Sequence, residues 1–191
     1  MADEDIEDQP TPGESKRSFP TAPRELWRRR RHLPHWERGG ETYFVTVRFQ
    51  RGVMSEDERT VVLEACRHWD GTKMRLHGAV VMPNHLHLLT QPLPVPGEAD
   101  RPPGMAQEYH SLIEIMHSIK GYTAHVLARL RGMKGPYWAQ ESYDRIMRGK
   151  SDYDEKLNYV LNNPVKVGLV ADGWEYPFLW FRETALERLR G

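Results

Sequence analysis

The sequence predicts an α+β domain in which a central antiparallel β-sheet is flanked by α-helices, the helices lying mainly on one face. Three observations predict it. Stretches with a two-residue apolar period are interspersed with stretches of helical period. The resulting order, strand, helix, strand pair, helix, strand, helix, lacks the regular spacing of βαβ units. Two of the strands are separated only by Pro83-Asn84, which reads as a bend.

The first strand spans about Thr42–Gln50, where Tyr43, Val45, Val47 and Phe49 alternate with Phe44, Thr46 and Arg48. Ser55 and Glu58 form a capping box that opens a helix over about Glu56–Asp70, with Val61, Val62, Ala65, Cys66 and Trp69 at helical spacing. Strands follow at Lys73–Met82 and His85–Thr90. The five prolines between Pro92 and Gly104 mark an exposed loop. A long amphipathic helix runs from about Glu108 to Arg131, with Leu112, Ile115, Met116, Ile119, Val126, Leu127 and Leu130 on its apolar side and Gly132, Gly135 and Pro136 ending it. Tyr143–Arg148 is a fourth strand. Ser151 then caps a helix expected to stop near Asn163, because Pro164 disfavours helical geometry in the residue before it.

At 191 residues the chain fits one domain, 24–191, preceded by a tail. Residues 1–23 combine acids with Pro10, Pro12, Pro20 and Pro23 and offer little to bury, so they read as disordered. No apolar run approaches the ~18 residues of a membrane span, and the acidic start is unlike a secretory signal. The single cysteine, Cys66, excludes an internal disulfide and a Cys–Cys zinc pair. A reducing cytoplasm and no membrane partner are expected. The net charge of zero hides an asymmetry: residues 1–20 carry six acids against Lys16 and Arg17, a net of −4, so the remainder is +4. That remainder begins with the run Arg28, Arg29, Arg30 and Arg31 beside Trp27 and Trp36, which suits a phosphate backbone and equally a solvated domain edge.

The chemistry concentrates in two segments. In Met82-Pro83-Asn84-His85-Leu86-His87, strand alternation projects His85 and His87 together while Leu86 and Leu88 enter the core. Paired imidazoles are ligands for a divalent cation, but two do not close a site, and the pattern also fits half-exposed strand histidines bonded to neighbours. In the last helix, Tyr153, Leu157, Val160 and Leu161 form an apolar stripe. Tyr159 lies about 150° from its centre, on the polar side. Asn163 is one turn further along that face, shared by Asp152, Glu155 and Lys156. This arrangement fits a nucleophile beside a metal-binding carboxamide. It also fits an ordinary exposed tyrosine on an amphipathic helix.

Taken in order, Tyr43-Phe44-Val45-Thr46, Val80-Val81-Met82-Pro83-Asn84-His85-Leu86-His87, Tyr137-Trp138-Ala139-Gln140-Glu141-Ser142-Tyr143-Asp144-Arg145 and the segment from Tyr159 to Val170 resemble a known family. It is the REP-associated tyrosine transposases, single-tyrosine members of the histidine–hydrophobe–histidine endonuclease superfamily. The resemblance covers about 33–180 and implies a ferredoxin-like, RRM-like sheet flanked by helices. It implies His85 and His87 as metal ligands, Asn163 as the third, Mg²⁺ or Mn²⁺ as cofactor, and Tyr159 as nucleophile. The implied reaction cuts single-stranded DNA beside a palindromic hairpin through a 5′-phosphotyrosine, in a bacterial cytoplasm at the nucleoid. The acidic leader and the long Pro-rich loop depart from the family pattern. Lys120, Tyr122, Arg145, Arg148, Lys150 and the Arg28–Arg31 run are candidate DNA contacts, or plain surface residues. The chain is expected to act as a monomer or homodimer. The alternatives are a catalytically silent DNA-binding protein of the same fold, a relaxase or replication initiator, and a metal-dependent hydrolase of a small molecule.

Overall fold

Each strand expected from the two-residue period forms in the computed structural model, which describes residues 27–29, 35–97 and 107–190, with side chains described for 38–97 and 107–190. The acidic tail, Arg30 and Arg31 lie outside the described residues, as does most of the Pro-rich loop. Two short strands, β1 (Trp27–Arg29) and β2 (His35–Glu37), pair antiparallel with each other. The main elements are β3 (Tyr43–Arg48), α1 (Glu56–His68), β4 (Met74–Met82), β5 (His85–Pro92), α2 (Leu112–Arg131), β6 (Tyr143–Ile146), α3 (Gly149–Lys166), β7 (Leu179–Phe181) and α4 (Glu183–Arg190). Strands β6-β3-β5-β4-β7 form one antiparallel sheet. The α+β architecture is therefore as the sequence predicts.

Strand β5 lies at the centre of the sheet, in register with β3 on one side and β4 on the other. Alternation divides its residues between the two faces. Leu86 and Leu88 share the face of Val45 and Val47, while His85 and His87 share the face of Arg48 and Thr46. Helices cover both faces, whereas the sequence suggested mainly one. The Trp138 indole meets Phe49 on the Val45–Val47 side and donates to Thr123 Oγ1 of α2 at 2.8 Å. On the other side, Tyr159 of α3 rests on Phe44 and His87. Nothing in the third helix's sequence announces that two of its faces are covered.

The capping box forms as expected. The Ser55 hydroxyl accepts from the Glu58 N–H at 3.3 Å, and the Glu58 carboxylate accepts from the Ser55 N–H at 2.8 Å. Glu58 is 3% exposed, and a buried carboxylate needs a partner. Arg131, in the last turn of α2, supplies it with two N–H groups and also donates to the Arg51 and Val53 carbonyls. One guanidinium thus ties the end of α2 to the start of α1. It holds the Glu58 carboxyl below the usual carboxylate range, by hydrogen bonding more than by charge alone.

Several expectations need correction. Helix α2 begins at Leu112, where Ser111 caps it, and ends at Gly132, whose φ of 63° supplies the left-handed cap. Leu130 is exposed and Thr123 takes its place in the buried stripe. Helix α3 starts at Gly149 rather than at a Ser151 cap. Asp152 satisfies that end, its carboxylate accepting from the Arg148 N–H at 2.8 Å. The helix also runs through Pro164 to Lys166. Leu161 and Pro164 are both buried, so apolar packing of the last turns outweighs the local cost of proline. Strand β7 and helix α4 were not anticipated. No described helix is long and apolar enough to cross a membrane.

Candidate active site

The His85 and His87 rings lie with centroids 4.5 Å apart on the face of β5 that α3 covers. His87 is 4% exposed, stacked on Phe44 at 5.2 Å and met edge-on by Tyr159 at 5.2 Å. Its Nδ1 is hydrogen-bonded to Thr46 Oγ1 at 2.8 Å, across the register pair Thr46–His87. The Asn84 carboxamide oxygen accepts from His85 Nδ1 at 2.7 Å. Each ring is therefore held through Nδ1, a constraint that leaves Nε2 as the remaining donor atom of each imidazole.

Burial decides the charge of the pair. It pushes the His87 imidazole down to about 3, with the neighbouring His85 adding to the effect. Burial also lowers His85, with the nearby Asn163 carboxamide opposing it and Arg48 acting in the same direction as burial. Both rings are neutral at pH 7, the state in which imidazole binds a metal.

Tyr159 and Asn163 come to this face from α3. The sequence placed both on a polar, outward side. Instead, Tyr159 is half-buried against the core and Asn163 is buried. The reason is the second covered face of α3: Leu157, Val160 and Leu161 pack on one flank, while Tyr159 and Asn163 turn toward Phe44 and the histidines. No described residue bonds the Tyr159 hydroxyl.

Two buried atoms here have no hydrogen-bond partner, His87 Nε2 and Asn163 Oδ1. Unsatisfied buried acceptors are costly and uncommon. Both are lone-pair donors suited to a divalent cation, so the residues present fit such an ion. Among the described residues no three His, Cys, Asp or Glu side chains converge, and the candidate set is two imidazoles and a carboxamide.

The candidate DNA contacts divide between the faces. Tyr143 and Arg145 on β6 are in register with Thr46 and Phe44, on the histidine face. Arg145 is bound to Asp152 at 2.6 Å. Arg148 and Lys150 are exposed at the start of α3. Lys120 and Tyr122 belong to α2, beyond the opposite face. Lys120 donates to the Ala139 and Gln140 carbonyls at 2.6 and 3.0 Å, while Tyr122 is exposed. Arg28 and Arg29 fall in β1, whose side chains are not described. Sequence reasoning missed Thr46 and Asn84 as supports for the imidazoles. The signal for Thr46 lay in the alternation, which puts it on the face of Arg48.

Comparison with known proteins bears on the fold. No family model matches this sequence, and no curated protein matches it. Among solved structures, the chain is similar to a REP-associated tyrosine transposase bound to a REP hairpin. The TM-score is 0.58 and the identity 22%, covering 79% of each chain. A bacterial tRNA(His) guanylyltransferase-like protein in complex with GTP is similar at a TM-score of 0.47 and 9% identity, over 70% of this chain and 67% of that one. The chain has the fold of an α+β, antiparallel-sheet protein of the kind seen in that transposase.

Proposed function

We propose that this protein is a transposase-like DNA-processing enzyme, a metal-dependent single-strand endonuclease and strand transferase with Tyr159 as nucleophile. The observation that carries the reading is the meeting of Tyr159 with His87, ring to ring at 5.2 Å, beside the unpartnered Asn163 Oδ1. Seventy-two positions of sequence separate that tyrosine from that histidine. The likeness to a transposase bound to a hairpin supports the same reading and suggests hairpin-flanking DNA as substrate.

His85, His87 and Asn163 would hold Mg²⁺ or Mn²⁺, which supplies Lewis-acid polarisation of a non-bridging phosphate oxygen. Tyr159 Oη attacks the phosphorus as the bond to the 3′-oxygen breaks. The phenolic proton leaves to solvent and the departing 3′-oxygen gains one, giving a 5′-phosphotyrosine and a free 3′-OH. One phosphodiester replaces another, so a 3′-OH can reverse the step without ATP. Thr46 and Asn84 keep the imidazoles oriented, and the packing of α3 excludes water from one side of the phenol.

The test is incubation of the protein with end-labelled single-stranded hairpin DNA and Mn²⁺, with and without EDTA, followed by a denaturing gel. The wild type should give a covalent band that EDTA removes and Tyr159→Phe lacks, with hairpin binding retained. A protein that binds the hairpin but never forms the band is the silent DNA-binding alternative. An undiminished band in Tyr159→Phe moves the nucleophile elsewhere.

A further inference from the structure

Four residues of α3, Lys156, Tyr159, Asn163 and Lys166, fall at i, i+3, i+7 and i+10 and so form one helical stripe. Its two ends are cationic. The Lys166 ammonium lies 4.9 Å from the centroid of the Tyr159 ring and that of Lys156 lies 5.6 Å from it. The two lysines differ in what else holds them. Lys156 is bound to Glu155 at 2.7 Å and also lies over Phe44 at 5.8 Å. No carboxylate pairs with Lys166 among the described residues, and its side chain is exposed. A cation in the last turn of a helix is favoured by the helix dipole alone. That preference does not account for an ammonium turned back along the stripe onto a tyrosine ring two turns away.

We infer that Lys166 is a catalytic residue that touches the scissile phosphodiester of single-stranded DNA, its ammonium offsetting the negative charge shared by the phenolic oxygen and the phosphate during transfer. The inference rests on the proposed nucleophilic role of Tyr159. The site needs such a charge because the phenol and the phosphate both carry negative charge as the Oη–P bond forms. A metal ion held by His85, His87 and Asn163 would offset part of that charge, and Lys166 adds an ammonium on the same helical stripe. Lys166 is the nearer of the two flanking cations and the one not already shared with a carboxylate. Its position beside the phenol serves both directions of the reaction, attack on the DNA and expulsion of the phenolic oxygen by a 3′-OH.

Single-turnover kinetics on hairpin DNA with Mn²⁺ test this, in the full chain, with Lys166→Met, Lys166→Arg and Lys156→Met. The expected result is that Lys166→Met slows formation of the covalent band about 100-fold, the usual cost of removing one donor aimed at developing charge. Resealing of the band by a 3′-OH strand slows in parallel. The final amplitude stays at the wild-type level and hairpin affinity changes less than about 5-fold. Lys166→Arg recovers most of the rate, and Lys156→Met loses less than about 10-fold. A wild-type rate in Lys166→Met overturns the inference. So does a loss of amplitude at unchanged rate, which marks a folding defect, or an equal loss in Lys156→Met. Absence of the band in the wild type overturns the nucleophile itself, and this inference with it, a result distinguishable from any of the others.

Discussion

Replacement of Thr46 by valine removes one hydroxyl and keeps the shape of the side chain, so its consequences can be worked out atom by atom. The hydroxyl is the partner of His87 Nδ1 at 2.8 Å, and His87 Nε2 already has none. In the variant both ring nitrogens are buried without a partner. Leaving one such group unsatisfied costs about 1–3 kcal/mol. The added methyl group returns up to about 0.8 kcal/mol if fully buried. With the methyl fully buried, the metal-free protein should therefore lose between about 0.2 and about 2.2 kcal/mol in urea denaturation. For the proposed metal ion, loss of a supporting hydrogen bond is expected to weaken binding by about 10–100-fold. At Mn²⁺ one hundred times the wild-type dissociation constant, the wild type gains about 2.7 kcal/mol, and a variant weakened about 30-fold gains only about 0.9 kcal/mol. Thr46→Ser should restore both quantities. Unfolding midpoints equal to the wild type with and without Mn²⁺ would refute the argument that this hydroxyl orients the ring.

Further expectations follow from the same packing. Arg131→Met strands the Glu58 carboxylate, 3% exposed, and should cost about 3–5 kcal/mol at pH 7 in urea denaturation. The wild type loses this contribution as pH falls below the ordinary carboxylate value, since the folded pKa is the lower one, so the gap between the two proteins should narrow in acid. Tyr153→Phe removes the hydroxyl that meets His77 Nδ1 at 3.0 Å and should lower stability by about 1 kcal/mol while keeping the covalent band. Tyr159→Phe should do the reverse: a thermal melt within about 0.5 kcal/mol of wild type and no band. Burial holds His77 neutral, pushed down to about 4. The unfolded chain takes up that proton first, so stability is complete above the ordinary imidazole value and falls between there and about pH 4. At pH 5 this one residue costs about 2 kcal/mol, and His77→Gln should flatten the profile.

The strands and the paired histidines were legible because they rest on local rules. Ser55 and Glu58 announce a helix start wherever they occur before an apolar periodic run, and His-Leu-His on a strand has only one way to divide between faces. The environment of Tyr159 was not legible. Its angle from Leu157 and Val160 is correct, but the inference that this angle leads to solvent assumes one covered face, and the second cover is Phe44, more than a hundred residues away. Pro164 misled for a related reason. Its preference against helix is offset by apolar packing of the last turns, where Leu161 and Pro164 are buried. Strand β7, Leu179-Trp180-Phe181, is too short to display a period, and it exists because the edge of β4 was open to pair with it.

Helix α3 is fastened along its length. Leu157, Val160 and Leu161 are buried, Asp152 binds Arg145, and Asp154 binds Arg188 at 2.7 Å. Lifting it from the sheet would return those three apolar side chains to water at about 1.5–3 kcal/mol each, a sum comparable with the whole stability of an average domain. The phenol is thus a fixed post rather than a swinging arm. In a cut-and-rejoin cycle it would be the nucleic acid ends that trade places around it, and any length of DNA bridging the old and new partners would set the pace.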